Sequence, residues 1–170
     1  MTDGTDVCLG FDGSWSNDST ALVVVSCGDV PHIDVVECWD RPPTAGADWT
    51  GPVLDVEEAI REVCRRFKVR EIACDPFRWQ RTHSVLADEG LPIVKFPQNA
   101  SHMTPATARF YEAVLNAGLT HSGDPRLARH IVNTVLKVDA RGQRIAKESR
   151  NSIRKIDLAV AAVMAFEGPR

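Results

Sequence analysis

The sequence predicts a mixed α/β domain in which three strands pair antiparallel and later strands join in parallel through helical crossovers, with helices flanking the sheet. Three observations carry this. Strand-like runs cluster before residue 40, helix-like and strand-like runs alternate from Val53 onward, and the chain closes on residues 158–166, which are apolar on every side and must therefore be buried. With 170 residues, of which 44% are apolar, the chain is sized for one globular domain with a proper core, so a single domain over 1–170 is expected.

Residues 7–11 are an apolar run that delivers one carboxylate, Asp12, to its tip before the chain turns at Gly13. A polar turn leads into residues 20–26, rich in β-branched side chains, and a second turn at Gly28-Asp29 leads to 33–39. The simplest arrangement is an antiparallel meander. Residues 41–52 hold three prolines and two glycines and read as a loop. Asp55 then caps a helix over 56–67: Val56, Ala59, Ile60, Val63, Cys64 and Phe67 follow three-four spacing, while Glu57, Glu58, Arg61, Glu62, Arg65 and Arg66 face water. A strand at 71–74 ends on Asp75-Pro76, followed by a helix near 81–89, a strand at 93–96, and a helix from about Thr104, with Pro105 in its first turn, to 116–118. Residues 119–121 are extended, Asp124-Pro125 opens a helix through Asn133, and 135–139 with 144–147 form a second hairpin around 140–143. The last helix runs over 157–167. This order of elements is the one expected of a ribonuclease-H-like fold, in which the first and fourth strands lie side by side and would bring Asp12 and Asp75 together.

Composition narrows the class. No run of 18 apolar residues and no basic-then-apolar N-terminal pattern occurs, so a soluble, non-exported protein without a membrane partner is expected. The five cysteines, Cys8, Cys27, Cys38, Cys64 and Cys74, are odd in number and include no CxxC pair, and they read as small buried hydrophobes rather than zinc ligands or disulfides. The net charge of −3 conceals two poles: residues 1–60 carry twelve acids against one base, whereas 126–156 carry nine bases against two acids. An acidic half suits cations. A basic stretch suits a polyanion such as nucleic acid, although a solvated charged face is the commoner use of such a run.

Asp12, Asp75 and Asp157 then share a pattern, two at strand ends and one opening a buried helix. Singly, each has an ordinary explanation as a turn former or helix cap. Together, three carboxylates would repel one another unless divalent cations neutralised them, and a helix apolar all round has little reason to begin on an inward carboxylate without a ligand. Asp18, six residues after Asp12, either reaches the same site or stabilises its own turn.

The ordered set Gly10-Phe11-Asp12-Gly13-Ser14 with Asp18-Ser19-Thr20-Ala21, Ala73-Cys74-Asp75-Pro76, Gly118-Leu119-Thr120-His121 with Asp124-Pro125-Arg126-Leu127, then Asn133, Lys147 and Lys155-Ile156-Asp157-Leu158-Ala159-Val160-Ala161 resembles the nuclease domain of the large terminase subunit of tailed phages. The resemblance spans nearly the whole chain. Full terminases also carry a packaging ATPase, and no GxxxxGK(S/T) phosphate loop occurs in this sequence, so translocation is not expected of these residues. The resemblance implies metal-dependent endonucleolytic cleavage of double-stranded viral DNA concatemers during genome packaging, in the host cytoplasm. It implies two Mg2+ or Mn2+ ions, with Asp12 bridging them and Asp75 and Asp157 on the leaving-group and nucleophile sides, roles that could be exchanged. Implied partners are double-stranded DNA, the terminase ATPase domain, the small terminase subunit and the portal.

Lys147 and Arg154 are the cations expected nearest the scissile phosphate, and Arg126, Arg129, Lys137, Arg141, Arg144, Arg150 and Lys155 are expected along the DNA backbone. Other readings keep the fold and change the use. A junction resolvase or transposase core would use the same carboxylates on another DNA substrate; a docking module of the packaging machine would carry them without catalysis; a sugar-kinase or actin-like ATPase would need a second such domain.

Overall fold

The computed structural model describes residues 1–14, 19–46, 48–49, 51–77, 79–149 and 151–169. Asp18 and Arg150 lie outside the described residues.

Strands β1 (Asp6–Asp12), β2 (Thr20–Ser26) and β3 (His32–Trp39) form the meander. Both pairs are antiparallel, with Asp12 opposite Ala21 and Ala21 opposite Cys38. Helix α1 (Val53–Arg66) crosses to β4 (Lys68–Cys74), which lies parallel to β1 with Gly10 opposite Ala73 and Phe11 opposite Cys74. Helix α2 (Gln80–Asp88) leads to β5 (Ile93–Lys95), parallel to β4. After α3 (Ala100–Leu115), the two residues of β6 (Thr120–His121) pair parallel to β3 at the far edge. The sheet order is β5-β4-β1-β2-β3-β6. Helix α4 (Pro125–Val132), the separate hairpin β7 (Val135–Asp139) and β8 (Gly142–Ala146), and α5 (Asp157–Phe166) complete the chain.

Alternation along the strands sorts the core into two layers. Val7, Leu9 and Phe11 of β1, Leu22 and Val24 of β2, and Ile72 and Cys74 of β4 pack with Val56, Ile60 and Val63 of α1 and Leu86 of α2. Val23 and Val25 of β2 and Ala73 of β4 face the other way, onto α5, which is itself covered by α3 and α4. All ten residues of α5 are buried, and large members such as Leu158, Met164 and Phe166 each contribute about 1.5–3 kcal/mol by leaving water. Phe110 of α3 meets Phe166 edge to face, with centroids 5.4 Å apart.

Gly10 lies on the α5 face of β1, and its missing side chain is what lets the helix sit there. A Cβ on it would stand 1.9 Å from the carbonyl oxygen of Ala161 and 2.9 Å from the backbone nitrogen of Ala165.

Several local expectations are corrected. Helix α1 begins at Val53, so Asp55 lies in its first turn and does not cap it. Glu57, expected to face water, is 3% exposed, because α2 packs over it. Its Oε1 accepts from the Thr82 hydroxyl at 3.0 Å, and Arg61 and Arg81 stand at 3.4 and 3.6 Å. Helix α3 starts four residues before Thr104, because the Asn99 side chain accepts from the His102 backbone N–H and supplies the cap, leaving Pro105 inside the helix. The second hairpin turns more tightly than expected, pairing Asp139 with Gly142.

Candidate active site

Strand parity puts the first two aspartates together. Asp12 and Asp75 each lie two residues beyond the paired Gly10 and Ala73, on the strand face that meets α5. Helix α5 supplies the third. Asp157 is its first residue, 8% exposed, where the positive end of the helix dipole favours a carboxylate. Because α5 crosses Gly10 at van der Waals contact, its N-terminus is carried to the strand tips.

Asp12, Asp75 and Asp157 line one small cavity of about 190 Å3, together with Gln98, Lys147, Ile156 and Val160. Each carboxylate has a hydrogen-bond donor. Gln98 Nε2 donates to Asp12 Oδ1 at 2.8 Å, the backbone N–H of Phe77 to Asp75 Oδ1 at 3.1 Å, and the backbone N–H of Ser19 to Asp157 Oδ2 at 3.3 Å. Among the described residues no three Asp, Glu, His or Cys side chains converge closely enough to hold an ion between them as they stand. The three lining carboxylates are nonetheless an all-oxygen donor set of the kind hard divalent cations take, and the one lining cation, Lys147, cannot balance them alone.

Trp79, 2% exposed, begins α2 in the left-handed region with φ 59° and meets Phe11 edge to face at 5.3 Å. A Cβ on Gly13 would stand 2.4 Å from the Trp79 indole nitrogen, so Gly13 gives room for the indole. Gly13, directly after Asp12, thereby packs on the residue that precedes α2.

A larger hollow, about 540 Å3, lies between α3 and the hairpin, lined by Thr104, Tyr111, Leu136 and Arg141 among others. Among the described residues that line it, Glu112 is the only carboxylate, against three in the smaller cavity.

The expected DNA-binding cations separate into groups. Lys147, just past β8, lines the cavity. Arg154 does not: the helix starts at Asp157, leaving Arg154 on the preceding loop, exposed and 3.7 Å from Glu148. Lys155 Nζ is held by Asp40 Oδ1 at 2.9 Å, Arg144 by Asp139 at 2.5 Å, and Arg126 by Asp124 and Glu37, both at 2.8 Å. Arg129 on α4, Lys137 on β7 and Arg141 at the hairpin turn are exposed.

Sequence reasoning missed Gln98 and the pair Ser19 and Asp40. The signal was present in the topology: Gln98 follows β5 and Asp40 follows β3, both parallel to β1, so both emerge at the end of the sheet that carries Asp12.

The family model described as terminase large subunit, endonuclease domain, matches residues 32–169. The Gene 13 protein of Mycobacterium phage L5 is 33% identical over 182 residues, covering 96% of this chain and 29% of the relative. The terminase large subunit of Enterobacteria phage HK97 is 29% identical, covering 92% of this chain and 36% of the relative. The chain thus spans about a third of the length of these relatives. Among solved structures, the HK97 bacteriophage large terminase superposes with a TM-score of 0.77 at 25% identity, covering 98% of this chain and 40% of that one. The large terminase nuclease of thermophilic phage G20c with bound magnesium shares the fold, with a TM-score of 0.68 at 14% identity over 97% of this chain and 84% of that one.

Proposed function

The chain belongs to the family of terminase large-subunit endonuclease domains, and on that premise we propose that residues 1–170 form a divalent-metal-dependent endonuclease unit that cuts double-stranded viral DNA during genome packaging in the host cytoplasm. The observation that carries the proposal is the meeting of Asp12, Asp75 and Asp157 with Lys147 around one cavity. That the related G20c nuclease has been solved with bound magnesium, cobalt and zinc supports a divalent ion in this family's fold.

Asp12, Asp75 and Asp157 would hold the divalent ions between them, where the ends of β1 and β4 meet the start of α5. Two Mg2+ or Mn2+ ions would supply activation of the attacking water and charge neutralisation at the phosphodiester. The protein's part is orientation. Gln98 fixes the Asp12 carboxylate and the Phe77 N–H fixes Asp75. Lys147 is positioned to pair with a phosphate oxygen and so to draw the backbone over the carboxylates. Exposed Arg129, Lys137 and Arg141 extend that attraction without reading sequence. In the assembled motor the unit acts beside the ATPase domain, the small subunit and the portal. Among the described residues no helix is long and apolar enough to cross a membrane.

Plasmid cleavage tests the proposal. Supercoiled DNA is linearised with Mn2+ present and left intact with chelator, and Asp12→Asn, Asp75→Asn and Asp157→Asn each abolish cutting. Preference for a four-way junction over linear duplex would replace this reading with a resolvase. Absence of any cutting by the wild type, alone or with its ATPase domain, would leave the docking module.

A further inference from the structure

Asp40 lies outside the cavity lining, one residue past β3, yet it is tied to Asp157 from two directions. Its Oδ1 accepts from the Ser19 hydroxyl at 2.5 Å and from the Lys155 ammonium at 2.9 Å. The backbone N–H of the same Ser19 donates to Asp157 Oδ2 at 3.3 Å. Lys155 in turn is two residues before Asp157, and its carbonyl accepts from Asn133 Nδ2 at 3.0 Å. The contacts close a ring from Asp157 through Ser19, Asp40 and Lys155 back along the chain to Asp157. That ring joins the start of β2, the end of β3 and the start of α5.

Such a ring answers a specific mechanical need. Asp157 is the first residue of α5, and the chain before it, from Lys147 to Ile156, has no regular structure among its described residues. The N-cap, Ile156, offers no side-chain hydrogen bond, and the buried His130 Nδ1, which accepts from the Leu158 N–H at 2.9 Å, steadies the backbone of that end rather than the Asp157 carboxylate. A carboxylate on such an entry swings with the loop unless something holds it. Ser19 is fully buried and Asp157 nearly so, and hydrogen bonds in such surroundings are stronger and more directional than in water. Burial works against the ionised form of Asp40, but the Ser19 hydroxyl and the Lys155 ammonium outweigh it and hold the carboxyl below its ordinary range.

We propose that Asp40 is a positioning residue: acting through Ser19 and Lys155, it sets the orientation of Asp157 toward the shared cavity and so sets the affinity of the site for divalent cations. The assignment rests on the reading that Asp12, Asp75 and Asp157 hold those cations. It removes Lys155 from the DNA-contacting set and gives its charge an internal task.

Calorimetric titration with Mn2+ and plasmid cleavage, run on the wild type and on Asp40→Ala, Asp40→Asn, Ser19→Ala and Asp157→Asn, test it. Partners that orient a metal ligand are worth about tenfold or more, so Asp40→Ala weakens Mn2+ binding and cleavage by at least about that factor while the protein stays folded. Asp40→Asn keeps an oxygen that accepts from both Ser19 and Lys155 and stays within about threefold of the wild type. Ser19→Ala retains the backbone bond to Asp157 but cuts the link to Asp40, and follows Asp40→Ala; it decides the matter should Asp40→Ala fail to fold. Folded Asp40→Ala and Ser19→Ala proteins that bind Mn2+ and cut like the wild type, beside an Asp157→Asn that does neither, would overturn the positioning role alone. An Asp157→Asn protein that binds and cuts normally would overturn the metal-site reading and the positioning role with it.

Discussion

Gly10 of β1 and Ala161 of α5 are in direct backbone contact: the place a side chain would occupy on Gly10 is filled by the Ala161 carbonyl. The contact sets how near the N-terminus of α5, with Asp157, comes to the tip of β1, with Asp12.

Gly10→Ala must therefore push the helix off the strand. Overpacking against backbone that cannot yield costs about 3 kcal/mol. Thermal unfolding should show that loss, and the protein that remains folded should cut plasmid more slowly, because Asp157 has moved from Asp12. Unchanged stability would mean that α5 is not seated on Gly10.

Glu57 provides the contrasting case. It is buried between α1 and α2 and accepts from the Thr82 hydroxyl, which is itself 2% exposed. Glu57→Ala leaves that hydroxyl without its partner and should cost about 2 kcal/mol in chemical denaturation. Cleavage at temperatures where the variant is folded should stay at the wild-type rate, since Glu57 lies in the layer across the sheet from α5.

Lys147 is the cation on the wall of the cavity. Lys147→Ala should lower turnover by about a hundredfold or more, an effect of the size expected when a positioned donor to the reacting phosphate is lost. The slope of log binding constant against log salt should fall by about one if a single phosphate contact is removed. A loss of turnover with an unchanged slope would place Lys147 on the carboxylates rather than on DNA.

His130 gives the fold an acid limit. It is buried on α4, and its Nδ1 accepts from the backbone N–H of Leu158 at 2.9 Å, which puts the ring proton on Nε2. Burial lowers its pKa from 6.5 to about 4; Asp40 opposes the shift, and Lys155, Arg129 and Arg126 add to it. A histidine held neutral in the fold but free to charge when unfolded gives stability that is complete above about 6.5 and is lost as pH falls toward about 4. His130→Asn keeps an acceptor near Leu158 and cannot titrate. The difference in melting temperature between pH 7 and pH 4.5 should be larger for the wild type by about 3 °C or more. Equal pH dependence in the two proteins would remove His130 from the account.

The meander, the crossovers and the buried last helix were legible because period-two and three-four apolar spacing report burial directly, and residues 20–26 or 158–166 admit little else. Strand order brings Asp12 beside Asp75, and the buried last helix carries Asp157 to the same cavity. What was not legible depends on partners distant in sequence. Glu57 has the position of a solvent-facing residue on its own helix and is buried only because α2 arrives over it. Lys155 looks like one more phosphate contact in a basic run until β3 brings Asp40 to it. Gln98 carries no charge to mark it, and only the parallel pairing of β5 with β4 brings it near Asp12.

The proposed nuclease chemistry requires that Asp12, Asp75 and Asp157 together hold divalent cations. Diffraction from crystals soaked in Mn2+, collected for anomalous signal, tests it most directly. One or two peaks are expected within bonding distance of these three carboxylates, reduced or lost in Asp12→Asn. A well-ordered cavity with no anomalous peak at a Mn2+ concentration that supports cleavage would contradict it.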